Sequence, residues 1–122
     1  MVENVEIAKV PKMSDIKIVD SKFPKTVEAQ YTHTLTCFVS GDELQAHIKI
    51  NYDTAETMTF ELQSLGKFIS SFTDETVESL ADEIYIELSK YKGIPKNLQV
   101  TVVGYTDNHG DYKVVVGGKK DE

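Results

Sequence analysis

The chain has no arginine, no tryptophan and only one cysteine, Cys37, among its 122 residues. Its thirteen basic residues are all lysines and stand against twenty acidic residues, which gives a net charge of −7. Such a chain lacks the basic surface that nucleic-acid binding needs. It also lacks the planar guanidinium that holds a phosphate or carboxylate at two points. One cysteine excludes an internal disulfide, so redox chemistry does not dictate the compartment.

Long apolar runs are missing as well; they reach only a few residues, as at residues 114–116. A membrane helix needs about 20 apolar residues, so the sequence predicts neither a membrane span nor a signal peptide. By default we predict a cytoplasmic protein without nucleic-acid or membrane partners. The length suits one domain, which we place at residues 23–116. We expect residues 1–22 to form a mobile or extended arm with a short edge strand, and residues 117–122 to form a polar tail.

The periodicity of apolar residues predicts two β-hairpins. Residues 26–39 and 44–52 alternate between apolar and polar side chains and are joined by a short glycine turn, a pattern typical of a hairpin. Residues 98–105 and 112–116 repeat this arrangement around a turn at residues 107–110. The strands are long for so short a chain, and free sheet edges pair readily. We therefore expect subunits to join edge to edge into a homo-oligomer.

Two helices are predicted between the hairpins. Apolar residues recur at helical spacing in both segments: Leu62, Leu65, Phe68 and Ile69 in the first, and Val77, Leu80, Ala81, Ile84 and Leu88 in the second. Thr73 or Asp74 is the predicted N-cap of the second helix. The order is ββ-α-α-ββ, which predicts an α+β fold with a four-stranded antiparallel sheet packed on two helices.

Several short segments, taken in their order along the chain, carry a resemblance to a known family. They are Phe23-Pro24, Tyr31-Thr-His-Thr-Leu-Thr-Cys37, Glu61-Leu-Gln-Ser-Leu65, Phe72-Thr73-Asp74-Glu75 and Val103-Gly104-Tyr105-Thr106. Together with the order of elements they resemble the tunnelling fold, or T-fold, and most closely the 7-cyano-7-deazaguanine reductases of queuosine biosynthesis. The resemblance implies barrels of subunits joined edge to edge. It also implies a purine- or pterin-like ring bound at a subunit interface by a Glu or Gln.

Carried over residue by residue, the resemblance implies that Glu61 anchors the ring. The helix-entry His-Glu pair of the family corresponds to Thr73 and Asp74, which makes Thr73 a second substrate contact and Asp74 a candidate acid or base. Read from the residues alone, Glu61 suits the first turn of a helix and Asp74 suits a helix cap.

The reductase chemistry departs from the family pattern at Cys37. In one alignment Cys37 stands in for the nucleophile loop, and Leu44 then replaces the family's acidic residue. In the other, which preserves the strand spacing and which we prefer, Cys37 matches an upstream strand cysteine and the nucleophile loop is missing. The segment linked to NADPH appears as Asn108-His109-Gly110, without arginine. NADPH is therefore an expected cofactor only if the reductase chemistry survives.

The sequence leaves three functions open. The chain binds a purine- or pterin-like ring through Glu61 without clear nitrile-reductase chemistry, or it is a non-catalytic ligand-binding or scaffold oligomer, or it is an active deazaguanine or pterin enzyme that uses Cys37 or Asp74. A nucleophilic cysteine needs a nearby base or cation, whereas Cys37 also fits a buried strand position. No metal site is expected, because His33 and His47 fall on opposite alternation classes and His109 lies in a distant turn.

Overall fold

The computed structural model describes residues 16–36, 43–54, 58–72, 76–91, 94–106 and 110–118. In chain order the elements are β1 (Ile18–Asp20), β2 (Thr26–Thr36), β3 (Glu43–Thr54), β4 (Met58–Phe60), α1 (Leu62–Ser70), α2 (Val77–Ser89), β5 (Pro95–Thr106) and β6 (Gly110–Gly117).

Four long strands form an antiparallel sheet in the order β2-β3-β5-β6. One cross-strand row of residues that faces the helices runs through all of them: Ala29 lies opposite Ile50, Ile50 opposite Val100, and Val100 opposite Val116. Period-two alternation places every second residue on this face, as the pattern of residues 26–36 and 44–52 predicts. The hairpin order, the sheet and the two helices confirm the predicted α+β architecture.

The helices cover one face of the sheet and close the core. α2 packs on β5 and β6, while α1 contacts β2. α2 buries the whole stripe that its spacing predicts: Val77, Leu80, Ala81, Ile84 and Leu88. α1 buries Leu65, Phe68 and Ile69, but the predicted Leu62 is 45% exposed because it lies in the first turn, on the side of the helix away from the core. Burial of such side chains contributes roughly 1.5–3 kcal/mol each, so these two stripes hold the helices on the sheet. Neither helix of the described residues is long and apolar enough to cross a membrane.

The start of α2 differs from the prediction. Its N-cap is Thr76, whose side chain accepts a hydrogen bond from the Ser79 amide at 3.0 Å. The predicted cap at Thr73 or Asp74 is wrong, because the capping residue must directly precede the first helical residue and reach the third amide beyond it. The first residue of the helix, Val77, is also the first of its stripe to enter the core.

A second, two-stranded sheet lies at the N-terminal side of α1. β1 pairs with β4 in antiparallel register, with Ile18 opposite Phe60 and Asp20 opposite Met58. The sequence indicates a short strand near Ile18 but not its partner. Ile16 is buried in the core at 3% exposure, so the packed structure reaches into the segment assigned to an arm. The domain boundary at residue 22 stays a prediction.

Candidate functional site

Glu61 occupies the junction between β4 and α1. Its backbone is extended, with φ −79° and ψ 121°, and it is the N-cap of the helix. One carboxylate oxygen accepts a hydrogen bond from the Ser64 amide at 2.8 Å, and the other accepts from the Gln63 amide at 3.2 Å. The first amides of a helix have no partners within it, so the carboxylate satisfies two of them and faces the positive end of the helix dipole.

These contacts hold the pKa of Glu61 below its ordinary value. The Ser64 amide is the main cause, with further contributions from the Gln63 amide, the Ser64 side chain and the positive charge of Lys17, while partial burial opposes the shift. A hydrogen bond donated to a carboxylate favours its charged form. Glu61 is therefore an anion at neutral pH.

The carboxylate also lines a groove of about 350 Å³, together with Lys17, Gln63, Ser64, Lys67 and Phe68. A carboxylate offers about four acceptor positions, and the two helix amides use one on each oxygen. One acceptor position per oxygen thus remains for a ligand in the groove. Two adjacent oxygens of one negatively charged group are suited to accept hydrogen bonds from a pair of neighbouring N–H donors.

A wider, open groove lies beside the edge strand β2. It measures about 780 Å³ and is lined by Tyr31, Thr32, Leu62, Gln63, Gly66, Lys67, Ser70 and Ser71, so Gln63 and Lys67 border both grooves. Leu62 is 45% exposed here. The open groove therefore presents an apolar side chain of α1 beside the edge strand β2.

Tyr31 fixes the relation between this sheet edge and α1. Its hydroxyl donates a hydrogen bond to the Leu62 carbonyl at 2.9 Å. Burial, followed by the influence of Tyr52 and Glu61, raises the pKa of Tyr31 to about 12. The hydroxyl is thus protonated at neutral pH and serves as a donor, not as a base.

A third groove lies on the sheet face that the helices leave open. It measures about 210 Å³, and its side chains include Gln30, Thr32, His47, Lys49 and Lys113. Lys49 already pairs with Glu28 at 3.4 Å. Since ligand pockets usually measure roughly 300–1,000 Å³, this groove is small for a ring ligand, and the groove at Glu61 is the better candidate.

Of the residues predicted for the site, the structure describes Glu61 alone. Cys37, Thr73 and Asp74 lie outside the described residues. The structure therefore neither brings them to Glu61 nor separates them from it, and their roles stay predictions.

The histidines of the two first long strands do lie on opposite faces. The His33 Nε2–H donates to the Phe72 carbonyl at 2.6 Å on the helix side. His47 packs edge to face against Tyr105 on the open side, with 5.1 Å between ring centroids. Within the described ranges, no group of three His, Cys, Asp or Glu side chains could hold a metal ion.

Sequence reasoning missed three residues at the site: Lys17, Ser64 and Lys67. Ser64 carried a usable signal, because a serine in the first turn of a predicted helix can bond back to the residue three positions before it. Its hydroxyl donates to the Glu61 carbonyl at 2.9 Å. Lys17 carried none, since it lies 47 residues from Ser64 in sequence.

Among the comparisons with known proteins, the search of solved structures finds similar chains and the two sequence comparisons do not. No family model matches the sequence, and no curated protein matches it. A search of solved structures finds the crystal structure of an archaeosine synthase of the QueF-like type in its apo form, with a TM-score of 0.69. The match covers 83% of this chain and all of the solved chain, at 19% identity.

The chain has the QueF-like tunnelling fold. This confirms the fold that the resemblance implied. In the tunnelling-fold chain, Glu61 lies where a strand meets a helix and its carboxylate faces a groove. An identity of 19% carries the fold and not the activity, so function has to be argued from the groove itself.

Proposed function

We propose that this tunnelling-fold chain binds a purine- or pterin-like ring through Glu61, at an interface between two subunits. The observation that carries the proposal is the ionised carboxylate, held by the Ser64 and Gln63 amides, with one acceptor position left on each oxygen. Guanine-like and pterin rings present two adjacent N–H donors on one edge. Charge-assisted hydrogen bonds to such an edge are about twice as strong as neutral ones.

The dimensions of the groove support a ring ligand. Its volume of about 350 Å³ lies at the small end of the range for ligand pockets. Lys17 and Lys67 add positive charge beside the carboxylate. The resemblance to deazaguanine reductases and the fold shared with an archaeosine synthase make a 7-deazaguanine the first ring to test.

A second subunit would complete the site. Gln63 and Lys67 border both the Glu61 groove and the open groove beside β2, where Leu62 is exposed and Tyr31 is partly exposed. β2 and β6 are the edge strands of the sheet, and an unprotected edge is a template for pairing with another strand. Light scattering should accordingly give a mass well above the 13.7 kDa of one chain.

The binding proposal is tested by calorimetric titration with 7-deazaguanine, guanine and pterin. Glu61→Gln retains the shape but loses the charge and one acceptor, and we expect affinity to fall about tenfold, because hydrogen bonds to charged groups contribute more than neutral ones. Glu61→Ala should abolish measurable binding. Glu78→Gln is the matched control, since Glu78 is an exposed acid in the first turn of the other helix. Equal affinity in all variants would show that Glu61 only caps the helix and does not bind the ring.

Reductase activity is not part of the proposal. The family motif for the nucleophile is in doubt at Cys37, and the segment linked to NADPH has no arginine. We expect no NADPH consumption with 7-cyano-7-deazaguanine. Substrate-dependent consumption that is lost in Cys37→Ala would instead support the active-enzyme alternative, and Asp74→Asn would then test the predicted acid.

One observation favours a non-catalytic scaffold as the second candidate. The Glu61 side chain already bonds two helix amides, so its conformation needs no ligand to explain it. An oligomer in which none of the tested rings binds to any variant would support this alternative.

A further inference from the structure

A short segment crosses the N-terminal end of α1 directly beside Glu61. Residues 16–20, here called the strap, begin with the buried Ile16 and continue into β1, which pairs with β4. β4 ends at Phe60, immediately before Glu61. The strap thus packs against the same short stretch of chain that carries the carboxylate.

A closed set of hydrogen bonds joins the strap to Glu61 and Ser64. The Glu61 amide donates to the Lys17 carbonyl at 2.8 Å. The Lys17 amide in turn donates to the Ser64 hydroxyl at 2.8 Å, and that hydroxyl donates to the Glu61 carbonyl at 2.9 Å. Ser64 is buried at 6% exposure. Its hydroxyl accepts one hydrogen bond from the strap and donates another to the cap residue Glu61.

We infer that the strap positions the Glu61 carboxylate for its ligand, with Ser64 as the positioning residue that couples the two. This inference rests on the proposed ring-binding function. The Ser64 amide holds one carboxylate oxygen while its hydroxyl holds the strap and the Glu61 carbonyl. Displacement of the strap would therefore free the Glu61 amide from the Lys17 carbonyl and the Ser64 hydroxyl from the Lys17 amide.

The strap also brings its own charge to the groove. Lys17 lines the groove and favours the charged form of Glu61, and Lys67 is the other cation there. A carboxylate that is fixed before binding loses less conformational freedom when the ligand arrives. By linkage, a ligand that bonds this carboxylate must also stabilise the docked strap.

The apolar packing of the strap and its effect on the position of Glu61 can be tested separately, because the first depends on Ile16 and the second on the Ser64 hydroxyl. Ile16 in the core holds the segment against the domain by burial, and Ser64→Ala leaves that contact intact. The variant removes only the hydroxyl that joins Lys17 to Glu61. We therefore expect Ser64→Ala to fold with the strap nearby but loosely placed.

The first test needs no ligand. In the full chain, the Glu61 carboxyl is titrated by NMR, and hydrogen exchange is followed at its amide. We expect Ser64→Ala to raise the pKa of Glu61 toward its ordinary value and to speed amide exchange about tenfold or more, since exchange reports local opening. Ser89→Ala is the control, because its hydroxyl also donates to a carbonyl of its own helix, that of Tyr85, at 2.7 Å, and Ser89 lines none of the grooves described above. It should change neither quantity.

A folded Ser64→Ala protein with an unchanged pKa and exchange rate would overturn the inference. If Ser64→Ala does not fold, Ser64→Cys replaces it, because a thiol is similar in size but a weak donor and acceptor. The same outcomes then apply to that variant.

The second test uses 7-deazaguanine and pterin as probes. If the wild type binds one of them, we expect Ser64→Ala to bind it about tenfold more weakly and Ser89→Ala to bind it as the wild type does. Equal binding by Ser64→Ala would overturn the inference. If the wild type binds neither probe, the proposed function fails for these rings, and the pKa and exchange results alone decide whether the strap positions Glu61.

Discussion

Gly66 lies in the interior of α1, where replacing it with alanine should reveal a competition between helix propensity and packing. Alanine is about 1 kcal/mol more favourable than glycine inside a helix. A Cβ at residue 66, however, would lie 3.0 Å from Cε1 and 3.3 Å from Cδ1 of the Tyr31 ring. The hydrogen bond from Tyr31 to the Leu62 carbonyl holds that ring in place.

We expect the two effects in Gly66→Ala nearly to cancel. The Tyr31 ring has to move by a few tenths of an ångström. This movement strains its packing and its hydrogen bond to the Leu62 carbonyl, which contributes about 0.5–1.5 kcal/mol. The free energy of unfolding should therefore stay within about 0.5 kcal/mol of the wild type or fall slightly. In a Tyr31→Ala background the obstacle is gone, so Gly66→Ala should stabilise by about 1 kcal/mol.

The assay is urea denaturation of the four proteins of this double-mutant cycle at one fixed concentration, because association makes apparent stability depend on concentration. We expect a coupling free energy of about 1 kcal/mol between residues 31 and 66. Tyr31→Phe serves as a further background that keeps the ring but frees it from Leu62, and it should give an intermediate gain. If Gly66→Ala raises the free energy of unfolding by the same amount in every background, the effects are additive and the argument for a contact between Tyr31 and residue 66 is refuted.

Three further predictions concern packing and pH. Gly104→Ala should destabilise by about 1–3 kcal/mol in urea denaturation, because its Cβ would lie 2.8 Å from Val77 Cγ2 and 3.1 Å from Leu44 Cδ2; a stability equal to that of the wild type would show that α2 shifts freely. Glu61 has a folded pKa below its ordinary value of 4.5, so its contribution to stability is present above pH 4.5 and is lost as pH falls through the folded pKa. Thermal unfolding from pH 6 to about pH 2 should therefore show a smaller acid loss in Glu61→Gln, and identical acid profiles would count against the cap geometry. The folded pKa of Tyr31 is raised to about 12, so its contribution is complete below pH 10 and is lost as pH rises through about 12; ultraviolet titration should show a late phenolate step that Tyr31→Phe lacks.

The repeating pattern of apolar side chains was enough to predict most of the fold. Residues 26–36 and 44–52 alternate, and the structure places their apolar residues toward the helices. The five-residue stripe of α2 is buried throughout. These features are local: the period of the chain decides which face each side chain joins.

The site was predicted only in part. Glu61 at a strand-to-helix junction follows from the change of period at that point and from the resemblance of residues 61–65 to a family motif. Its partners do not follow, because Lys17 is 47 residues from Ser64 and Tyr31 is 31 residues from Leu62. A contact over such distances leaves no periodic trace in the sequence. Cys37, Thr73 and Asp74 lie outside the described residues, so their roles stay predictions.

By itself the sequence determined the order of the four long strands and the two helices, the buried faces of the long strands and of α2, and the carboxylate at the start of α1. Only the tertiary structure decided how β1 pairs with β4, and where the register of β3 and β5 shifts between Asn51 and Asp53. At that shift Asp53 accepts hydrogen bonds from Thr26 at 2.7 Å and from Asn97 at 2.9 Å, and Asn97 has a positive φ of 54°. The physical reason is the same in each case. Periodicity is a property of neighbouring residues, whereas pairing, register and the strap beside Glu61 depend on which distant segments bury each other's polar backbone groups most completely.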